Sequence, residues 1–134
     1  ITSDQLLNLS ENKILDGIEA SCSAGLNILQ YRQKTSNKIS LTCLKAIQNI
    51  CTQYQTTFII NDSFELARSI NADGVHLGKN DASLSSIRKT MGKDFIIGAS
   101  CYNSLNLAID AQKKGASYVA FGAMFKSTTK PEAP

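Results

Sequence analysis

TTFIINDSFELARSINADGVHLGKND, residues 56–81, contains two short apolar runs separated by one amphipathic stretch. Residues 57–60 and 74–77 are too short for helices and rich in the side chains that suit buried strands. Between them Phe64, Ala67 and Ile70 recur every three residues, which puts them on one helix face. The chain then turns at Asn71-Ala72-Asp73-Gly74-Val75, where Asn supplies a left-handed helix stop and Ala allows close packing. A strand, a helix and a second strand in so few residues form a βαβ unit, and such units imply a parallel sheet.

The same pattern extends in both directions. Residues 26–31, 95–98 and 118–121 read as further strands, and the stub Ile1-Thr2-Ser3 as the end of an earlier one. Helical periodicity joins Ile14, Leu15, Ile18 and Cys22, then Leu41, Leu44, Ile47 and Cys51. It returns in Leu84, Ile87 and Met91, and in Leu105, Ala108 and Ile109, with Ser10, Ser63 and Ser83 as expected N-caps. The turn at residue 71 has counterparts in Ser23-Ala24-Gly25-Leu26-Asn27-Ile28 and Lys114-Gly115-Ala116-Ser117-Tyr118-Val119. Consecutive copies lie about two βα units apart, as in a closed ring of such units. No Gly-rich dinucleotide turn follows any strand, which disfavours a doubly wound sheet. The expected fold is α/β, a TIM (β/α)8 barrel in one domain over residues 1–134. Six of eight units fit the sequence, so truncation is expected at both ends, mainly the C-terminus.

Composition narrows the function. Hydrophobic residues make up 43% and charged residues 19%, as in ordinary globular proteins. A net charge of +3 without a basic run gives nucleic-acid binding no support. No apolar run approaches the roughly 20 residues of a membrane span, and no signal-peptide pattern stands out, so a cytoplasmic protein is expected. Cys22, Cys43, Cys51 and Cys101 match no zinc or redox spacing and read as small packing residues.

In parallel barrels, chemistry gathers where strands end. Gln30, Arg32 and Lys34 alternate, so an extended backbone directs all three to one face, above Leu26 and Ile28 as interior-filling residues. Three donors over an apolar base suit a polyanion. Asn61-Asp62 and Asp81 follow two neighbouring strands, and paired carboxylates suit Mg²⁺ completed by substrate phosphates. Gly98-Ala99-Ser100 reads as a small turn closing a strand, with a hydroxyl but no adjacent base. His76, the one histidine, reads as a satisfied structural residue rather than a catalyst. Phe125-Lys126-Ser127-Thr128-Thr129-Lys130-Pro131 reads as a closing loop with hydroxyls and lysines for phosphate.

Together these motifs resemble the thiamine-phosphate synthase family. The resemblance rests on Gln30-Tyr31-Arg32-Gln33-Lys34, Ile59-Ile60-Asn61-Asp62, Ala72 to Gly78 with Asp81, Ile97 to Tyr102, and Phe121 to Pro131, in the family's order. It implies a transferase that couples 4-amino-2-methyl-5-hydroxymethylpyrimidine pyrophosphate to thiazole phosphate, with Mg²⁺ as cofactor. By the same resemblance Gln30 would meet the aminopyrimidine, and Arg32, Lys34, Asn61 and Lys130 the pyrophosphate. Asp62 and Asp81 would bind Mg²⁺, and Ser127 and Thr129 would line the thiazole-phosphate side. Ser100 would lie beside the leaving group, with Lys130 and Arg32 as the other catalytic groups. Partners would be these small molecules, with no nucleic acid or membrane and a homo-oligomer permitted. Lys79 stands where the family usually has glutamine and Ser127 where threonine is commoner. The family's Gly-rich loops for thiazole phosphate have no counterpart in the sequence. The alternatives are a thiazole tautomerase-like isomerase and an inactive fragment that only binds.

Overall fold

The structure, a computed structural model, describes residues 1–33 and 39–122. It contains α1 (Asp4–Leu7), α2 (Glu11–Ser23), β1 (Ile28–Tyr31), α3 (Leu41–Gln53), β2 (Thr57–Asn61) and α4 (Phe64–Ser69). These are followed by β3 (Gly74–Leu77), α5 (Leu84–Met91), β4 (Ile96–Tyr102), α6 (Leu105–Lys113) and β5 (Tyr118–Phe121). Contacts divide the chain into two compact units, one built on residues 1–61 and 65–73, the other on 62–64 and 74–134. The expected α/β alternation is present, with five strands among the described residues rather than six.

In the first unit β1 and β2 pair in parallel, Ile28 opposite Thr57 and Tyr31 opposite Ile60. Ile14, Ile18 and Cys22 of α2, and Cys43, Leu44, Ile47 and Cys51 of α3, form the buried stripes that helical periodicity predicts. Phe58, Ile59 and Ile60 of β2 are all buried, as in a strand covered on both faces. In β1 the pattern differs from expectation: Leu29 and Tyr31 are buried, whereas Ile28 is 59% exposed. The face that carries Ile28 and Gln30 is therefore the open one, and Ile28 fills no interior among the described residues.

Ile1–Ser3 is not a strand, yet Thr2 lies against β1. Its backbone N–H donates to the Gln30 carbonyl at 2.9 Å. Its hydroxyl donates to the Arg32 carbonyl at 3.0 Å and accepts the Arg32 N–H at 2.9 Å. Thr2 thus fixes the backbone of β1 where the strand ends.

In the second unit β3, β4 and β5 are parallel neighbours, with Gly74 opposite Ile96, His76 opposite Gly98, and Gly98 opposite Tyr118. α6 packs on β4 and β5 through Ala108 and Ala111, which meet Ala99 and Cys101. Short side chains on both surfaces bring the helix close to the sheet. Residues 98–100, expected to form a turn, lie inside β4, which runs on to Tyr102 with a bulge between Ser100 and Tyr102. Their small size answers to packing rather than to turning.

Four helices end alike. At α2 the N–H of Gly25 donates to the Cys22 carbonyl and that of Leu26 to the Ser21 carbonyl, with Gly25 at φ +93°. The same pair of bonds recurs at Gln55 and Thr56, at Asn71 and Ala72, and at Gly115 and Ala116. Gln55, Asn71 and Gly115 each have positive φ, the left-handed stop of a Schellman motif. α5 ends differently. Arg88 reaches past it, donating to the carbonyls of Gly92, Phe95 and Gly115 and to the Ser117 hydroxyl.

Candidate functional site

In the first unit, the ends of β1 and β2 bring two of the expected residues together. Gln30 Nε2 donates to Asn61 Oδ1 at 2.6 Å, and both residues are half-buried. The bond follows from the register, which sets Gln30 opposite Ile59 and so carries Asn61 just past it along the parallel neighbour. Each amide is left with its other polar atom, the Gln30 oxygen as acceptor and the Asn61 nitrogen as donor. Arg32 follows directly, its backbone fixed by Thr2.

The second unit holds the rest of the described candidates. His76 of β3 is buried, at 8% exposure, and both ring nitrogens are engaged. Nε2 lies 2.9 Å from Ser100 Oγ, and Nδ1 lies 2.9 Å from Tyr118 Oη. The His76 and Tyr118 rings stack with centroids 5.6 Å apart and planes at 29°. Three adjacent strands thus contribute one side chain each to a continuous polar line. Gly98 makes room for it: a Cβ there would stand 2.2 Å from Tyr118 Cζ and 2.6 Å from His76 Nδ1. Burial lowers the His76 pKa, and the Asp62 and Asp81 carboxylates partly offset this. Burial also raises the Tyr118 pKa, so its phenol stays protonated.

Asp62 and Asp81 are both exposed. Asp62 adopts φ +66° while its N–H donates to the His76 carbonyl at 2.8 Å, a left-handed conformation that Asp tolerates better than most residues. Asp81 Oδ2 accepts the Gly78 N–H at 2.6 Å, which pins the turn after β3. A cavity of about 340 Å³ opens beside this turn, lined by Leu77, Gly78, Lys79, Asp81, Ser100 and Lys114 among others. Among the described residues no group of three or more His, Cys, Asp or Glu side chains could hold a metal. Two carboxylates remain a fitting donor set for Mg²⁺, which commonly takes one or two protein carboxylates and fills its shell with phosphate and water.

Lys34, Ser127, Thr129 and Lys130 lie outside the described residues. The four cysteines are buried and free, in keeping with packing roles. Burial, reinforced by Cys22, pushes the Cys51 thiol up to about 12. Among the described residues no helix is long and apolar enough to cross a membrane. Tyr118 escaped the sequence reading, and its one signal was the glycine opposite it, Gly98.

The sequence model of the thiamine monophosphate synthase family matches residues 1–134. The thiamine-phosphate synthase of Methylobacillus flagellatus is 49% identical over 117 residues, which are 87% of this chain and 56% of that protein. The one from Nitrosococcus oceani is 48% identical over 119 residues, 87% of this chain and 54% of its own. The solved structure of thiamine phosphate pyrophosphorylase from Pyrococcus furiosus superposes with a TM-score of 0.71 at 27% identity. It covers 91% of this chain and 58% of that one. The chain spans about half the length of the curated relatives it matches.

Proposed function

The chain belongs to the thiamine monophosphate synthase family, and we propose on that basis that the protein makes thiamine phosphate. The substrates are 4-amino-2-methyl-5-hydroxymethylpyrimidine pyrophosphate and thiazole phosphate, and the setting is a (β/α)8 barrel in the cytoplasm. In this reaction the C–O bond to pyrophosphate breaks, and pyrophosphate leaves with the bonding electrons. The thiazole nitrogen lone pair then forms the new C–N bond to the pyrimidine methylene. The observation that supports the reading is the cavity that Asp81 shares with Ser100, whose hydroxyl lies 2.9 Å from His76 Nε2.

Each side chain has work suited to its free atoms. The Gln30 oxygen accepts from the pyrimidine amine, while Asn61, Arg32, Lys34 and Lys130 donate to pyrophosphate oxygens. Ser100 donates to the leaving group as its charge grows, and such donors act most strongly where water is excluded. Asp62 and Asp81 would hold Mg²⁺, which supplies charge neutralisation to the departing pyrophosphate when bound. By the family resemblance, Ser127 and Thr129 would contact the thiazole phosphate.

The test uses the full-length protein with both substrates, following thiamine phosphate and pyrophosphate with and without Mg²⁺. Equal, Mg²⁺-dependent formation of the two products is expected. Ser100→Ala should lower kcat by about 10²–10³-fold, the usual cost of one transition-state donor. Metal-independent isomerisation of a thiazole phosphate, with no pyrophosphate released, would refute the proposal in favour of the tautomerase-like alternative.

A further inference from the structure

We infer that His76 is a positioning residue that fixes the direction of the Ser100 hydroxyl, held for that task in its Nε2–H tautomer by Tyr118. The inference rests on the proposed reaction for its catalytic consequence, and on geometry alone for the tautomer.

Both nitrogens of His76 lie at hydrogen-bond distance from a hydroxyl, Nε2 from Ser100 and Nδ1 from Tyr118. A neutral imidazole has one N–H to give and one lone pair to offer, so the two hydroxyls cannot play the same part. A phenol, with a pKa of about 10, is a better donor and a poorer acceptor than an alkyl alcohol. The lone pair therefore goes to the Tyr118 proton at Nδ1, and the N–H goes to the Ser100 oxygen from Nε2.

The consequence falls on Ser100. Its oxygen is occupied by the incoming N–H, and its own proton is left to donate elsewhere. In the opposite tautomer Ser100 would spend its proton on Nε2 and turn lone pairs toward an anionic leaving group, which would repel it. Fixing the tautomer thus makes Ser100 a donor instead of an acceptor. The phenol is itself fixed, because its ring lies over Gly98 with no space for a side chain there.

The test is made on the full-length protein. ¹⁵N-labelled histidine NMR, with His76 assigned by its loss in His76→Gln, reads the tautomer directly. The expected spectrum has a pyridine-type Nδ1 and a pyrrole-type Nε2. Tyr118→Phe keeps the ring but removes the phenol proton, so the spectrum should shift toward a mixture of tautomers and kcat should fall at unchanged KM. His76→Phe should lose roughly 10–100-fold in kcat, the usual cost of removing an outer-shell partner. His76→Gln, whose amide can still donate toward Ser100, should recover part of that loss. A pyrrole-type Nδ1 in the unaltered protein overturns the inference, as does a Tyr118→Phe protein with an unchanged spectrum and kcat. If the protein makes no thiamine phosphate but shows the expected spectrum, the proposed reaction falls and the tautomer assignment stands.

Discussion

Placing a single methyl group at residue 98 tests how tightly the polar line is packed. In Gly98→Ala the new Cβ would stand 2.2 Å from Tyr118 Cζ, 2.3 Å from Tyr118 Oη and 2.6 Å from His76 Nδ1. Ordinary contact begins near 3.4 Å, so the phenol ring must retreat by more than an ångström. Overpacking of this kind costs about 1–3 kcal/mol, and the shortfall argues for the upper half. Losing the Tyr118–His76 hydrogen bond adds roughly 0.5–1.5 kcal/mol. Removing a glycine from a strand returns about 0.5–1 kcal/mol, since the unfolded chain loses freedom. The net expectation is a destabilisation of about 3 kcal/mol, read as a lower urea midpoint at unchanged slope. Repeating the substitution in a Tyr118→Ala background isolates the cause. There His76 can move into the vacated space, and most of the cost should vanish, giving a coupling of at least about 1 kcal/mol. An equal cost in both backgrounds would refute the reasoning, because the clash would then lie elsewhere.

Other perturbations address separate features. Arg88→Met strands the carbonyls of Gly92, Phe95 and Gly115 and should cost about 2–3 kcal/mol in urea unfolding, below the sum of its bonds because the site is partly exposed. Arg88→Lys should recover less than half of this, since one ammonium cannot span the same carbonyls. Gln55→Gly relieves a left-handed residue at φ +56° and should stabilise the protein by up to about 1 kcal/mol, measured as a higher urea midpoint. Alkaline pH should destabilise the protein, because burial raises Cys51 from 9.0, and Tyr31 from 10.0, to about 12 in each case. Both groups stay neutral when folded, so their contribution is full below pH 9 and is lost as pH rises toward 12. The slope approaches about 1.4 kcal/mol per pH unit for each group. Stability that stays flat from pH 9 to 11 would contradict this.

Much of the architecture could be read from local signals. Residues 74–77 and 118–121 coincide with β3 and β5, because short apolar runs bounded by turn residues leave little choice. Gly25, Asn71 and Gly115 announced three helix stops, but Gln55 did not, since glutamine has no bias toward positive φ. Its turn is braced by the Thr56 hydroxyl, which donates to the Leu26 carbonyl at 2.7 Å. Serine misled in the other direction. Ser10 and Ser83 stand at N-caps without a side-chain bond to the helix backbone, whereas Ser3, Ser40 and Ser104 accept backbone N–H groups at theirs. Ser40 is itself braced by Glu11, whose carboxylate accepts its N–H and hydroxyl.

The candidate site divides along the same line. The strand that carries Gln30 was legible from its apolar run. The His76, Ser100 and Tyr118 contacts span 24 and 42 residues and depend on the register of three strands. Pattern alone does not supply that register, so Gly98-Ala99-Ser100 read as a turn when Gly98 was leaving space for the Tyr118 ring and Ser100 was meeting His76.

The repeated helix stop also bears on how the chain assembles. Each of the four boundaries is closed by bonds reaching three and five residues back, so a helix can end before its strand has met a partner. Such short-range closure carries little loop entropy and forms early relative to strand pairing. During synthesis from the N-terminus, finished helix–turn segments would emerge one after another, leaving strand alignment as the slow remaining search. A substitution at Gly25, Asn71 or Gly115 would then delay folding even where it left the completed sheet unchanged.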